Sequence, residues 1–266
     1  MTSAQFRRVV YSYYKRRGRH TLPWRQTHDP YCIMVSELML QQTQVPRVIP
    51  KYEAFINKFP TVGSLARAEL GTVLVLWQGL GYNRRAKLLH SAARAIMARG
   101  GIFPQTKEGL EALPGVGPYT ASAILAFAYN TPTALIETNV RTVYIHHFFV
   151  DKTVVTDSEL LPLIEKTMDT KNPRAWYAAL MDYGSHLKQT VGNVNKKSAQ
   201  YVRQSKFKGS NREVRGAIVR LLTQKGLATV GVIVKETGFT RERIELQLRA
   251  LLEEGLIQKD GQRYSL

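Results

Sequence analysis

A single cysteine, Cys32, stands in a chain of 266 residues. One thiol cannot close a disulfide within the chain, nor hold a cysteine-based zinc site or an iron–sulfur cluster. It fits a reducing compartment and reads as a small core residue. Acidic residues are scarce, 20 against 38 basic ones, which leaves a formal net charge of +18. Residues 1–28 and 185–212 contain no acid at all. So one-sided a balance points to a polyanionic partner, most simply nucleic acid, and the two acid-free blocks favour phosphate contact over a merely solvated surface. No apolar run approaches the length of a membrane span, and the N-terminus lacks the apolar core of a signal peptide. His90, His146 and His147 lack the spacing of a metal set and read as structural.

Strand-like alternation is rare before residue 255, so the fold class is all-α. Helices are expected over 3–16, from Asp29-Pro30 (a cap followed by a residue suited to the first helical position) to about Gln42, and over 46–58, 63–69, 70–77, 84–99, 107–112, 119–129, 139–149, 157–168 and 173–185. Two segments echo each other. WQGLGYNRRA and LPGVGPYTAS each place a Gly-apolar-Gly turn between helices, Gly79/Gly81 and Gly115/Gly117, with Val116 between the second pair. Glycine lets a backbone turn tightly and approach a ligand, and the amides of such a turn ahead of a helix attract anions. In a basic protein LPGVGPYTA reads as a helix-hairpin-helix that grips the DNA backbone; a plain interhelical turn is the alternative.

The basic stretch 186–209 reads as a connector, with a boundary between a domain over 1–205 and a second over 206–266. Ser210 and Glu213 are expected to form a capping box. Helices then follow near 211, over 228–237, and from Thr240, burying Ile244, Leu248, Leu251 and Leu252. A hairpin turning at Asp260-Gly261 closes the chain. Three helices and a hairpin make a winged helix, whose third helix either contacts DNA or packs the domain.

In YCIMVSELMLQQTQV, Ser36 and Glu37 are the only polar groups between Tyr31 and Leu40. On a helix Glu37 shares a face with Ile33, Met34, Leu40 and Gln41. Desolvation raises a carboxyl pKa, and an acid that holds its proton near neutral pH suits a leaving group. A buried glutamate tied to a basic or amide partner is the alternative.

LPWR (22–25), DPY (29–31), SELMLQQTQV (36–45), GLGYNRRAKLLH (79–90), LPGVGPYTASAI (113–124) and MDYGS (181–185) resemble the helix-hairpin-helix DNA glycosylases, and among them the MutY-type adenine glycosylases, over roughly residues 5–205. The resemblance implies two helical lobes with a DNA-binding cleft. It implies that Glu37 protonates the departing adenine and later helps activate water, and that Tyr119 assists that carboxylate. Trp24, Arg25, Gln42 and Thr43 match positions that line the pocket or read the opposite strand. Leu80 and Tyr82 match residues that wedge into the opened stack. For Trp24, Leu80 and Tyr82, core packing is the alternative.

The chain departs from the family in three places and from its bifunctional relatives in a fourth. Where the resemblance implies an aspartate facing the cationic sugar, in D-x-N-V, Glu137 precedes Asn139, one methylene longer and about 1.5 Å further in reach, so that it either still faces the sugar, serves differently or marks a slow enzyme. Tyr119 occupies the site where bifunctional relatives carry a Schiff-base lysine, so base removal without strand cleavage is expected. No cysteines follow MDYGS, so no iron–sulfur cluster is expected and the loop there must be held by packing. A monovalent cation at the hairpin 113–117 is the only ion in view. The tail is too short and too helical for a Nudix-like domain. The expected partner is double-stranded DNA with a mismatched or oxidised base pair, bound by a monomer with no membrane association, cytoplasmic at a nucleoid or nuclear in a eukaryote. Rival readings are a mismatch thymine/uracil glycosylase and a non-catalytic lesion-binding protein.

Overall fold

The computed structural model describes residues 1–266, which divide into two compact units. The first comprises Met1–Glu37, Phe103–Ala112 and Val116–Arg203; the second comprises Leu38–Ile102, Leu113–Gly115 and Gln204–Leu266. No helix is long and apolar enough to cross a membrane.

Fourteen α-helices account for most of the chain: α1 Ser3–Arg17, α2 Pro30–Leu40, α3 Val45–Lys58, α4 Val62–Ala66, α5 Leu70–Trp77, α6 Arg84–Ala98, α7 Lys107–Glu111, α8 Pro118–Phe127, α9 Thr138–Phe148, α10 Asp157–Thr167, α11 Pro173–Thr190, α12 Asn211–Lys225, α13 Val230–Thr237 and α14 Arg241–Glu253. Asp29 caps α2, its carboxylate accepting the Tyr31 N–H at 2.8 Å. From Tyr31 to Met39 every residue but Cys32 is buried, as befits a helix apolar nearly all round.

In the first unit α9 packs along α11, and α1 packs against α10 and α11. Phe6 lies at the centre of this core, its ring 5.1 Å from that of Tyr144 and 5.8 Å from that of Trp176. Close approach of α9 and α11 requires Gly184: a Cβ there would meet the Asn139 carbonyl oxygen at 2.3 Å. The segment after α11 is tied down by backbone bonds of Val155 to Lys197 and Ala199 (2.8 and 2.9 Å), and by Lys197 Nζ on the Val150 carbonyl (2.7 Å).

In the second unit α6 packs against α4 and α5, and α12 packs against α5, α13 and α14. The tail thus joins the 38–102 region in one unit. Three short strands, β1 Leu227–Thr229, β2 Gln258–Asp260 and β3 Arg263–Ser265, form an antiparallel sheet in the order β1-β3-β2, with Ala228 opposite Tyr264. The hairpin was expected; β1 was not. Ser210 caps α12 as expected, but Glu213 reaches past it to the Gly209 N–H at 2.6 Å, so the reciprocal half of the capping box does not form. Ile244, Leu248 and Leu251 are buried as expected, whereas Leu252 is only partly so.

Candidate active site

The first unit brings Glu37, Tyr119, Glu137 and Asn139 together. Glu37 is 5% exposed, and the Tyr119 hydroxyl donates to its Oε2 at 2.9 Å. Burial pushes the Glu37 carboxyl up from the usual 4.5 to about 7; the Tyr119 hydrogen bond opposes that rise, the nearby Glu137 carboxylate adds to it, and the charge of Arg25 opposes it. The result is a dry acid that still holds its proton in much of the population at neutral pH. Tyr119 is itself pushed well above the phenol range, first by burial and then by the Glu37 and Glu137 charges, so it is fixed as a donor.

Glu137 is the N-cap of α9. Its Oε1 accepts the N–H groups of Asn139 and Val140, both at 2.9 Å, and its Oε2 accepts from Asn139 Nδ2 at 3.2 Å. Caps are usually shorter side chains; here the added methylene is taken up by folding the carboxylate back onto the helix terminus. Burial raises the Glu137 pKa, against the pull of these hydrogen bonds and of Arg141. Asn139 therefore holds both oxygens of this carboxylate, one through its backbone N–H and the other through Nδ2.

Trp24 is buried at 7% exposure. The Arg25 guanidinium forms a two-pronged pair with Asp182, at 2.6 and 2.9 Å. Arg19 adds its backbone N–H and Nε to the same carboxylate, at 2.7 and 2.6 Å. Arg25 thus spends its charge within the protein. Burial alone would raise the Asp182 pKa, but the Arg25 hydrogen bonds and the charges of Arg25 and Arg19 outweigh it and hold the carboxyl below its usual range. Asp182 lies in MDYGS, yet nothing in the sequence marks it as a partner of residues more than 150 positions upstream. Asp182→Ala leaves the largely buried Arg25 guanidinium, and the partly exposed one of Arg19, without their carboxylate. It is expected to lower the unfolding free energy by about 3–5 kcal/mol, read as a lower urea midpoint at unchanged m-value. A loss under about 1 kcal/mol would mean the pair behaves as a surface ion pair.

The second unit carries the other expected positions. Gln42 is exposed, Thr43 and Tyr82 are partly buried, and Leu80 is packed inside at 4% exposure. Gln42 and Tyr82 both adopt left-handed backbone, φ 54° and 48°, beside Gly79 and Gly81 at 89° and 71°. Bulky side chains rarely adopt that region, and such outliers collect at ligand clamps. A cavity of about 430 Å3 opens beside Gln42, Tyr82, Asn83, Arg84 and Arg212. The two loops are joined by Arg85, a residue whose role no motif in the sequence marks. Its NH1 donates to the carbonyls of Leu38, Met39 and Gln41, and its NH2 donates to those of Leu80 and Gly81. Burial lowers its pKa to about 10, which leaves it charged.

In the helical hairpin Gly115 has φ 77°, and a Cβ there would lie 2.6 Å from Leu88 Cβ. Val116 is buried, and Gly117 is exposed at the N-cap of α8 with φ −90°. The echo between the two glycine turns therefore stops at the second glycine, left-handed in one turn and not in the other. No group of three His, Cys, Asp or Glu is placed to hold a metal. His90 bonds the Ala68 carbonyl and His147 bonds the Tyr183 hydroxyl.

A buried acid, with a tyrosine bonded to it and a carboxylate capping the next helix that both follow a glycine hairpin, defines a base-excision type of site. Residues 35–167 match the family model of the HhH-GPD superfamily of base excision DNA repair proteins. The chain belongs to that superfamily. It is 32% identical to an adenine DNA glycosylase of Mycolicibacterium smegmatis, over 91% of this chain and 89% of that protein. It is 35% identical to an adenine DNA glycosylase of Buchnera aphidicola over 70% of this chain, and it spans about half (53%) of that relative's length. A thermostable thymine-DNA glycosylase superposes with a TM-score of 0.60 at 25% identity, covering 69% of this chain and 88% of the other. An endonuclease III trapped on DNA, 19% identical, shares the fold with a TM-score of 0.54.

Proposed function

We propose that the protein is a monofunctional DNA glycosylase that removes a mispaired adenine, opposite 8-oxoguanine or guanine, from double-stranded DNA, and that it acts as a monomer. The observation that carries this reading is Glu37, dry, raised to about 7 and hydrogen-bonded by Tyr119. An extruded base offers a ring nitrogen to such an acid. Glu37 gives its proton to adenine, the C1′–N9 bond breaks with both electrons leaving on the base, and the sugar becomes oxocarbenium-like. The Glu137 carboxylate, held by the terminus of α9, faces that positive charge. Water adds at C1′ and its proton goes to the carboxylate of Glu37, which restores the acid. Tyr119 has no amine for an imine, so the strand stays intact.

The chemistry uses no cluster and no metal; the hairpin 113–117 is the one candidate for a monovalent cation, and no step passes through it. Residues 1–205 form the glycosylase domain. The order of α12, β1, α13, α14 and the β2–β3 hairpin supports a winged helix over 206–266. Single-turnover assays on A:8-oxoguanine, A:G, T:G and U:G duplexes test the reading. Release of adenine from the first two is expected, with breaks appearing only after alkali or heat. Release of thymine or uracil but not adenine would replace the substrate. Prompt nicking would contradict the assignment of Tyr119.

A further inference from the structure

Tyr82 is held from the tail side of the second unit. Its hydroxyl donates to Gln42 Oε1 at 2.5 Å and accepts from Gln204 Nε2 at 2.7 Å and Arg212 NH1 at 2.9 Å. Gln204 Nε2 also reaches Gln42 Oε1, at 3.2 Å. Two guanidiniums lie by the phenol ring, Arg85 at 5.3 Å and Arg212 at 5.4 Å from its centroid. Arg212 is anchored in turn, its NH2 donating to the Ser205 carbonyl at 2.6 Å. Arg85 and Gln42 belong to the body of the unit; Gln204 and Arg212 belong to the connector and the first tail helix.

A non-glycine residue in left-handed backbone costs on the order of 1–3 kcal/mol and persists only where its surroundings over-determine it. Tyr82 and Gln42 both pay that cost, and the same network fixes both side chains. We propose that Gln204 and Arg212 are positioning residues that hold Tyr82 in the conformation that opens the base stack, with Gln42 fixed beside it, which makes the tail a working part of base extrusion. The inference rests on the glycosylase reading for its purpose. Its physical basis is preorganisation: a wedge already ordered in the free protein loses less entropy on entering the duplex, while extrusion itself costs a few kcal/mol of unstacking and unpairing.

The test uses the full chain with Arg212→Ala and, as a milder second variant, Gln204→Ala, whose side chain is exposed. Extrusion is read from the fluorescence of 2-aminopurine at the target position, affinity from anisotropy, and excision under single turnover. Arg212→Ala is expected to lower extrusion and the excision rate about 10- to 100-fold, with duplex affinity changed little and the melting temperature close to wild type. Gln204→Ala moves the same two readouts in the same direction by less. A duplex whose target adenine faces an abasic site, where there is no partner to unpair, restores the rate of both variants towards wild type. Unchanged extrusion in both variants would overturn the inference. So would a loss of rate that tracks a loss of affinity and does not recover on the abasic duplex. If the wild type releases no adenine from any duplex, the functional reading fails, yet the fluorescence still decides the role of Gln204 and Arg212.

Discussion

Replacing Glu37 by glutamine is expected to lower the single-turnover rate of adenine release by about a thousandfold or more, towards the upper end of the range for losing a general acid. Glutamine has the same shape, and its amide oxygen can accept the Tyr119 hydroxyl as Oε2 does at 2.9 Å. What disappears is the proton for the departing base and the carboxylate that accepts one from water. Affinity for the duplex should be retained, because the change removes a buried group that carries its charge only part of the time. A variant that keeps its rate within about tenfold of wild type would show that the proton comes from elsewhere.

Glu137→Gln is expected to cost about 10²- to 10³-fold in rate, the scale for losing one fixed charge aimed at a charged transition state. The substitution separates two roles. As a cap, Glu137 accepts the N–H groups of Asn139 and Val140 at 2.9 Å, and a glutamine oxygen can still accept them. As the carboxylate facing the sugar it needs its charge, which glutamine lacks. Near-normal thermal stability with a large rate loss is therefore expected. Normal activity would reduce Glu137 to a helix cap. Glu137→Asp, which keeps the charge and is a favoured cap, should recover most of the activity. Because the Glu137 charge helps raise Glu37, Glu137→Gln should also lower the Glu37 pKa.

Much of this arrangement was legible in the sequence for local reasons. The apolar run 31–40 after the helix start Asp29-Pro30 reads as a buried helix, and a lone carboxylate inside it reads as desolvated. What was not legible depends on long-range pairing. Asp182 looks like any aspartate on a polar helix face until Arg25, 157 residues away, is placed against it. Arg85 reads as one more basic residue, since its partners are backbone carbonyls, which leave no mark in a sequence. Gly184 gives no sign that α9 lies against it. The strand Leu227–Thr229 is three residues long, too short to show alternation, and only its pairing with Arg263–Ser265 makes it a strand. The last turn of α11, to Thr190, carries one apolar residue, Leu187, which is buried, among polar ones.

Protonation of the departing base requires that Glu37 hold its proton close to neutral pH. Carbon-13 carboxyl NMR of the protein, with the Glu37 signal assigned by its absence from Glu37→Gln, measures this directly. A titration midpoint near 7 is expected, with the neutral carboxyl predominating below it and the carboxylate above it. A midpoint at the ordinary glutamate value of 4.5 would contradict it, because the acid would then have lost its proton long before neutral pH.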